Sequence, residues 1–541
     1  MKSRKLKWIA SLLTPFVLSP LAFSSYKESQ CAFILLWMAV YWILEPVHIT
    51  VTALMPVFLM PLFGILDASE VCSNYMKEIL MMFVGGLAVA VAVEHCGLHE
   101  RIALKVLKHI GSDAKWLMLG FMLTTMFLSM WISNTATTAM MVPIVDAIMS
   151  ELRTSNQRAH LTTSTDDLVL IDKNYDKLHM ALLLSIAYSA NCGGTGTITG
   201  TSPNMILKGF IEEMYPETTE VTFASWMLYN IPGMIACVFV GWLLLQLLYL
   251  PSCKSKQDDE ENKNIKRVIS SRLDALGSMT FHEAAVFFLF LLLVFLWIFR
   301  EPKFMKGWAE RISPLAITQQ HRIGDAVPVI AIMFLLFLIP AEPWRLGTVE
   351  GSPPLLQWSA MQRRLPWGLF ILLGGGFALA HGAKASGLSN WLGEQMIQFS
   401  FLPPLAVQSI LCVLTAALTE VMSNSTVATI FLPIINQMAI AFHVHPLYLM
   451  LPVTITCSYA FMLPVATGPN AIVFDTGCMR VVDMIKPGIF MNIICCFIQL
   501  IMVNSLGVAL FNLKDPTNWS NSTQLLYQNE STIVNYNKTS F

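Results

Sequence analysis

Apolar residues run along this chain in blocks long enough to cross a bilayer, which takes about 20 helical residues, with short polar breaks between them. The blocks begin at Trp8 to Phe23, Cys31 to Leu66 and Glu78 to Val93, and recur to a last one at about Gly488 to Leu510. They predict an all-α polytopic membrane protein of about 11 transmembrane helices. Two breaks are unusual because small hydroxyl and amide side chains fall inside an apolar context. Ser133-Asn134-Thr135-Ala136-Thr137-Thr138-Ala139 sits between Trp116–Met130 and Met140–Ile144, and Ser423-Asn424-Ser425-Thr426-Val427-Ala428-Thr429 precedes Leu432-Pro433-Ile434. The flanks of each are too short for two full spans with a loop between them. A re-entrant hairpin with its tip near the midplane fits better, because irregular backbone survives at that depth only where protein or a water-filled cavity satisfies it.

The two breaks belong to a longer repeat. Gly85-Gly86 and Gly375-Gly376, Gly97-Leu98 and Gly387-Leu388, Ser133-Asn134 and Ser423-Asn424, and Pro143-Ile144 and Pro433-Ile434 are all 290 apart. Pro203-Asn204 and Pro469-Asn470 follow at an offset of 266, the polar segment Glu151 to Lys177 accounting for most of the change. Asn191 to Asn204 and Pro464 to Asn470 each interrupt an apolar run with Gly, Thr and Pro, which a continuous helix does not tolerate cheaply. Each half thus offers one hairpin tip and one broken span, and inverted repeats of this kind gather such elements around a single midplane site.

Composition narrows the class. Only 13% of the 541 residues are charged against 55% hydrophobic, with a mean hydropathy of +0.59; a soluble domain carries about 25% charged residues. A formal net charge of −1 gives no field that would draw in nucleic acid. The eleven cysteines show no paired metal-site spacing and read as small core residues. Glu151 to Lys177 and Ser252 to Ser278 read as solvated linkers, and the basic segment after Leu98 as an amphipathic surface helix. Glu45-Pro46 is either an interior carboxylate or a helix end. Lys2, Arg4, Lys5 and Lys7 favour a cytoplasmic N-terminus. Four Asn-x-Ser/Thr sequons, at Asn518, Asn521, Asn529 and Asn537, favour an extracellular, glycosylated C-terminal tail.

The site segments contain no Lys, Arg or His. Half-helix N-termini supply partial positive charge and free N–H groups for carboxylate or sulfate oxygens. Unwound carbonyls with Asn and Thr oxygens suit a hard cation such as Na⁺. The chemistry points to a cation-coupled anion carrier and leaves the anion open. An intramembrane enzyme is the weaker reading: Glu45, Asp146, Glu420 and Asp475 are dispersed and no His/Glu metal motif is present, so the chain is not read as an enzyme.

With Ser133 to Met141, Gly193-Gly194-Thr195, Gly200-Thr201-x-Pro203-Asn204, Thr419-Glu420 before Ser423-Asn424, and Pro469 to Phe474, the chain resembles the divalent-anion:sodium symporter family over nearly its whole length. Ser133 to Met141 looks like the di- and tricarboxylate branch. The resemblance implies a plasma-membrane homodimer in contact with lipid, each protomer having a scaffold and a transport domain that moves as an elevator. It implies substrate contacts from Asn134, Thr135, Thr201, Ser202, Asn424, Ser425 and Thr467. One Na⁺ would lie among Ser133, Asn134, Gly193, Gly194 and Thr195, and another among Thr419, Met422, Asn424 and Ala466. The corresponding division is 1–77, N-terminal scaffold helices; 78–251, first repeat half; 252–280, charged linker; 281–366, scaffold helices of the second half; 367–513, second repeat elements and last helix; and 514–541, tail. Three positions depart from the family pattern. Ser425 replaces threonine, Gly468 replaces proline, and Ser202 resembles the sulfate branch, which favours C4 dicarboxylates such as succinate over citrate. A sulfate:Na⁺ symporter and a Na⁺-independent anion exchanger are the alternatives.

Overall fold

A computed structural model describes residues 11–110, 114–159, 165–215, 220–250, 258–302, 305–312, 323–345, 351–396 and 402–513, and among these every regular element is helical. Among the described residues, six helices are long and apolar enough to cross a membrane, and five shorter apolar helices accompany them. We number the main ones α1 (Lys27–Leu44), α2 (Glu78–His95), α3 (Leu98–Ile110), α4 (Ala114–Ser129), α5 (Asn134–Ala159), α6 (Thr165–Gly193), α7 (Ser202–Met214), α8 (Phe223–Tyr249) and α9 (Asp258–Ala275). The second half continues with α10 (Phe281–Ile298), α11 (Ala326–Leu338), α12 (Trp367–Ala385), α13 (Leu388–Met396), α14 (Pro404–Thr419), α15 (Asn424–Ala441), α16 (Pro446–Thr456), α17 (Gly468–Asp475) and α18 (Val481–Met502).

The sequence repeat is a structural repeat. α4 and α14 begin and end 290 residues apart (404 − 114, 419 − 129), and α5 and α15 begin at the same offset. α4 with α5, and α14 with α15, form helical hairpins closed by four residues each, 130–133 and 420–423. The turns close alike: the Ile132 N–H donates to the Leu128 carbonyl at 2.9 Å and the Met422 N–H to the Leu418 carbonyl at 3.0 Å. Downstream, α6 tightens into a 3₁₀ turn at Gly194–Gly196 and α7 restarts at Ser202, while α16 stops at Thr456 and α17 restarts at Gly468. Asn204 and Asn470 hold these unwound stretches in the same way. The Asn204 amide donates to the carbonyls of Gly194 (3.0 Å) and Thr197 (2.8 Å), and the Asn470 amide to those of Ala460 and Leu463 (both 3.0 Å). Both asparagines are fully buried.

The paired glycines of α2 and α12 let other elements approach. A Cβ on Gly85 would lie 2.8 Å from a Val329 methyl of α11, and one on Gly86 would lie 3.2 Å from the Thr199 methyl of the first unwound stretch. In α12, a Cβ on Gly375 would sit 2.9 Å from that of Ala53, and Gly376 faces Thr429 of α15. At the far end of α2, buried Arg101 of α3 donates to Glu283 of α10 (2.8 Å) and to the carbonyls of Leu276, Gly277 and Ser278, fixing the amphipathic helix to the α9–α10 turn.

Two expectations are corrected. Within Glu151 to Lys177, α5 continues to Ala159 and α6 starts at Thr165, so the segment consists mainly of helix ends. Arg153 of α5 pairs with Asp176 of α6 at 2.5 Å, and a polar composition is no bar to a helix. Ser252 to Ser278 likewise contains the helix α9. Glu45 ends α1 in the left-handed region (φ 48°), which makes it a helix end, and it also borders the cavity described below. The sequons at Asn518, Asn521, Asn529 and Asn537 lie outside the described residues.

Replacing Asn204 or Asn470 by Leu strands two buried carbonyls. With two carbonyls left unpartnered, each change should cost on the order of 4 kcal/mol, and the purified protein should melt at a lower temperature than one carrying Asn504→Leu, a partly exposed amide.

Candidate functional site

The two hairpin tips and the two unwound stretches meet at one cavity of about 580 Å³. Four helices point their N-termini at it: α5 through Ser133, Asn134 and Thr135, α15 through Ser423, Asn424 and Ser425, α7 through Thr201 and Ser202, and α17 through Thr467, Gly468 and Pro469. Each N-terminus carries about half a positive elementary charge, so together they present about two. Thr201 and Thr467 both have extended backbone as N-caps, and the Thr467 hydroxyl accepts from the Asn470 N–H at 3.4 Å. The residues lining the cavity include no Lys, Arg or His, and Glu45 is their one ionisable side chain.

Behind each tip asparagine sits a hydroxyl from the end of the preceding helix. Ser129 donates to Asn134 Oδ1 at 2.6 Å and contacts the Ala190 carbonyl at 2.8 Å. Thr419 donates to Asn424 Oδ1 at 2.7 Å and contacts the Cys457 carbonyl at 2.6 Å. Gly194 packs directly on the first of these amides: a Cβ there would stand 2.6 Å from Asn134 Oδ1. The Thr195 carbonyl accepts from the Trp226 indole N–H at 3.1 Å. Both pockets are therefore walled by hydroxyl, amide and carbonyl oxygens, a donor set that suits a hard monovalent or divalent cation.

The halves are also tied to one another. The Asn191 amide, from the first half, donates to the Ala460 carbonyl (3.1 Å) and the Thr467 hydroxyl (3.2 Å). The Ser202 and Ser425 hydroxyls hydrogen-bond across the cavity. Gly468 leaves room for Thr135, whose methyl would lie 3.0 Å from a Cβ at that position. One feature has no counterpart: Glu420, buried at the second tip, accepts from the N–H groups of Phe461 (2.8 Å), Met462 and Leu463 (3.1 Å each) and from the Asn492 amide (2.8 Å). The corresponding residue of the first tip, Met130, uses its carbonyl to accept from Thr197 at 2.5 Å.

Residues 5–513 match the model of the sodium:sulfate symporter transmembrane region. The chain belongs to that family. It is a multi-pass membrane protein of this symporter family, and its relatives match it almost end to end. A mouse Na(+)/citrate cotransporter is 40% identical over 96% of this chain and 98% of its own length. A rat Na(+)/dicarboxylate cotransporter 3 is 39% identical over 94% and 93%. Human solute carrier family 13 member 2 is 39% identical over 95% of each. Among solved structures, MtrF of Neisseria gonorrhoeae, described as one of a class of antimetabolite efflux pumps, covers 90% of this chain and 96% of its own at a TM-score of 0.51. At 12% identity that likeness concerns the fold alone.

In this family member, Asn134, Thr135, Thr201, Ser202, Asn424, Ser425 and Thr467 all line the one cavity, as do Ser133, Met422 and Ala466. Gly193, Gly194 and Thr419 stand one layer behind, against α4 or the tip asparagines, and Thr195 is held by Trp226 of α8. Sequence reading passed over Ser129, although the 290 offset from Thr419 leads directly to it. It also passed over the wall formed by Trp42, Phe83, Leu87 and Leu369, which carries no polar signal.

The facing hydroxyls give a direct check. A Ser202→Cys/Ser425→Cys variant should oxidise readily to a bond between the two repeats, seen as a cross-linked peptide by mass spectrometry, whereas Ser202→Cys/Ser423→Cys should cross-link far less.

Proposed function

We propose that this protein imports di- and tricarboxylates, with C4 dicarboxylates such as succinate preferred, by cotransport with Na⁺. The observation that carries this reading is the convergence of four helix N-termini on a cavity without a basic side chain. The helix ends offset about two negative charges, which matches a dicarboxylate. Transfer of such an anion from water still needs compensation close by, and Na⁺ at the two oxygen-walled pockets supplies it. Ser133, Asn134, Gly193, Gly194 and Thr195 hold one ion, and Thr419, Met422, Asn424 and Ala466 the other. Asn134, Thr135, Thr201, Ser202, Asn424, Ser425 and Thr467 contact the anion. The cotransporter names of the relatives support the same substrates and coupling ion.

The finer architecture follows the same reading. The two hairpins are re-entrant, and 11 spans place the N-terminus in the cytoplasm and the sequon-bearing tail outside the plasma membrane. α1 then runs inward, so a cavity bordered by Trp42, Ile43 and Glu45 at its C-terminal end opens to the cytoplasm. The hairpins, broken helices, α8 and α18 form a transport body that slides along a scaffold containing α1, α2, α10, α11 and α12, in a homodimer. Ser202, the sulfate-like position, supports a second reading in which sulfate is carried.

Labelled succinate uptake in cells expressing the protein should fall to background when choline replaces Na⁺, and excess sulfate should leave it unchanged. Competition by sulfate would transfer the assignment to the second reading, and uptake indifferent to Na⁺ would remove the coupling. Asn134→Ala and Asn424→Ala should each reduce uptake at least about tenfold, the equivalent of about 1.4 kcal/mol, at unchanged surface expression.

A further inference from the structure

A cysteine that the binding cavity does not use lies in the turn between α17 and α18. The Cys478 side chain is exposed. Its Sγ stands 3.5 Å from Nδ1 of His179 on α6 and 3.8 Å from the Thr476 carbonyl. His179 is buried, and its Nε2 lies 2.9 Å from Oδ1 of Asp146 on α5. A carboxylate is an acceptor only, so it selects the imidazole tautomer with hydrogen on Nε2. The lone pair of Nδ1 then faces the thiol. Nucleophile, base and orienting acid stand in hydrogen-bonding sequence, the geometry in which an imidazole can take the thiol proton as the sulfur attacks. The three residues come from three separate elements, and none of them lines the cavity.

We propose that Cys478 is a modification site, a thiol activated by His179 and Asp146 that exchanges with small disulfides such as oxidised glutathione. The thiol proton passes to Nδ1 of His179, and Sγ attacks one sulfur of the disulfide. A mixed Sγ–S bond forms as the original S–S bond breaks, and the departing thiolate takes up the proton and leaves as a free thiol. Cys478 is oxidised to the mixed disulfide while half of the reagent is reduced. The product no longer accepts or donates through a thiol proton, so the link from the α17–α18 turn to α5 and α6 is cut at the same time.

Full-length protein, reduced and purified in detergent, is treated with oxidised glutathione or, separately, iodoacetamide. Labelling at each cysteine is followed by peptide mass spectrometry. Cys72 is also exposed and serves as the internal reference. Both reagents should modify Cys478 about tenfold faster than Cys72, reflecting the few per cent of thiolate that an unassisted cysteine has at neutral pH. The ratio should fall to about one in His179→Gln and in protein unfolded by guanidinium, and to an intermediate value in Asp146→Asn. A melting temperature and gel-filtration profile matching the wild-type protein confirm that the variants remain folded. Equal rates at the two cysteines in the folded wild-type protein, or a ratio that survives both His179→Gln and Asp146→Asn, would overturn the assignment.

Discussion

The structure depends on keeping backbone satisfied where it has left the helix inside an apolar bundle. Carbonyl and N–H groups without partners cost several kcal/mol each in such surroundings. Asn204 and Asn470 meet that requirement with one side chain per break, each amide donating to two carbonyls of its own unwound stretch. With those stretches fixed, α7 and α17 restart with their N-terminal residues on the cavity, which is the space where these ends and the two hairpin tips converge.

The two halves solve the same problem with unequal electrostatics. At the first tip a neutral carbonyl, that of Met130, holds the neighbouring stretch through Thr197. At the second, the Glu420 carboxylate gathers three consecutive N–H groups and the Asn492 amide. A buried carboxyl group with four donors has its hydrogen-bonding capacity met, and the first tip has no such group. The two tips share an architecture and differ in the group that holds the neighbouring stretch.

Much of this was legible in the amino-acid order. The helical membrane class follows from apolar runs, and the repeat from landmarks at a constant offset. α4 and α14 match at both ends, which motif matching alone did not require. Ser, Asn and Thr in an apolar setting marked the cavity because polar groups are placed there at a cost. The features that escaped are those with no local signature. Trp42, Phe83 and Leu87 read as ordinary spanning residues, and their role as cavity wall comes only from packing. The helix ends within Glu151 to Lys177 carry no apolar signal, because charged residues are compatible with a helix as well as with a loop. His179 gave no hint of Cys478, which lies 299 residues further along the chain.

Asn191, the Ser202–Ser425 pair and the Thr135–Gly468 contact all cross from one half to the other. They leave the chamber without a seam along which it could be prised apart. Drawing the halves away from each other would rupture these bonds and expose unpaired amides to hydrocarbon. The tips and unwound stretches are therefore braced as one unit, and a strain placed on either half is carried over to the other.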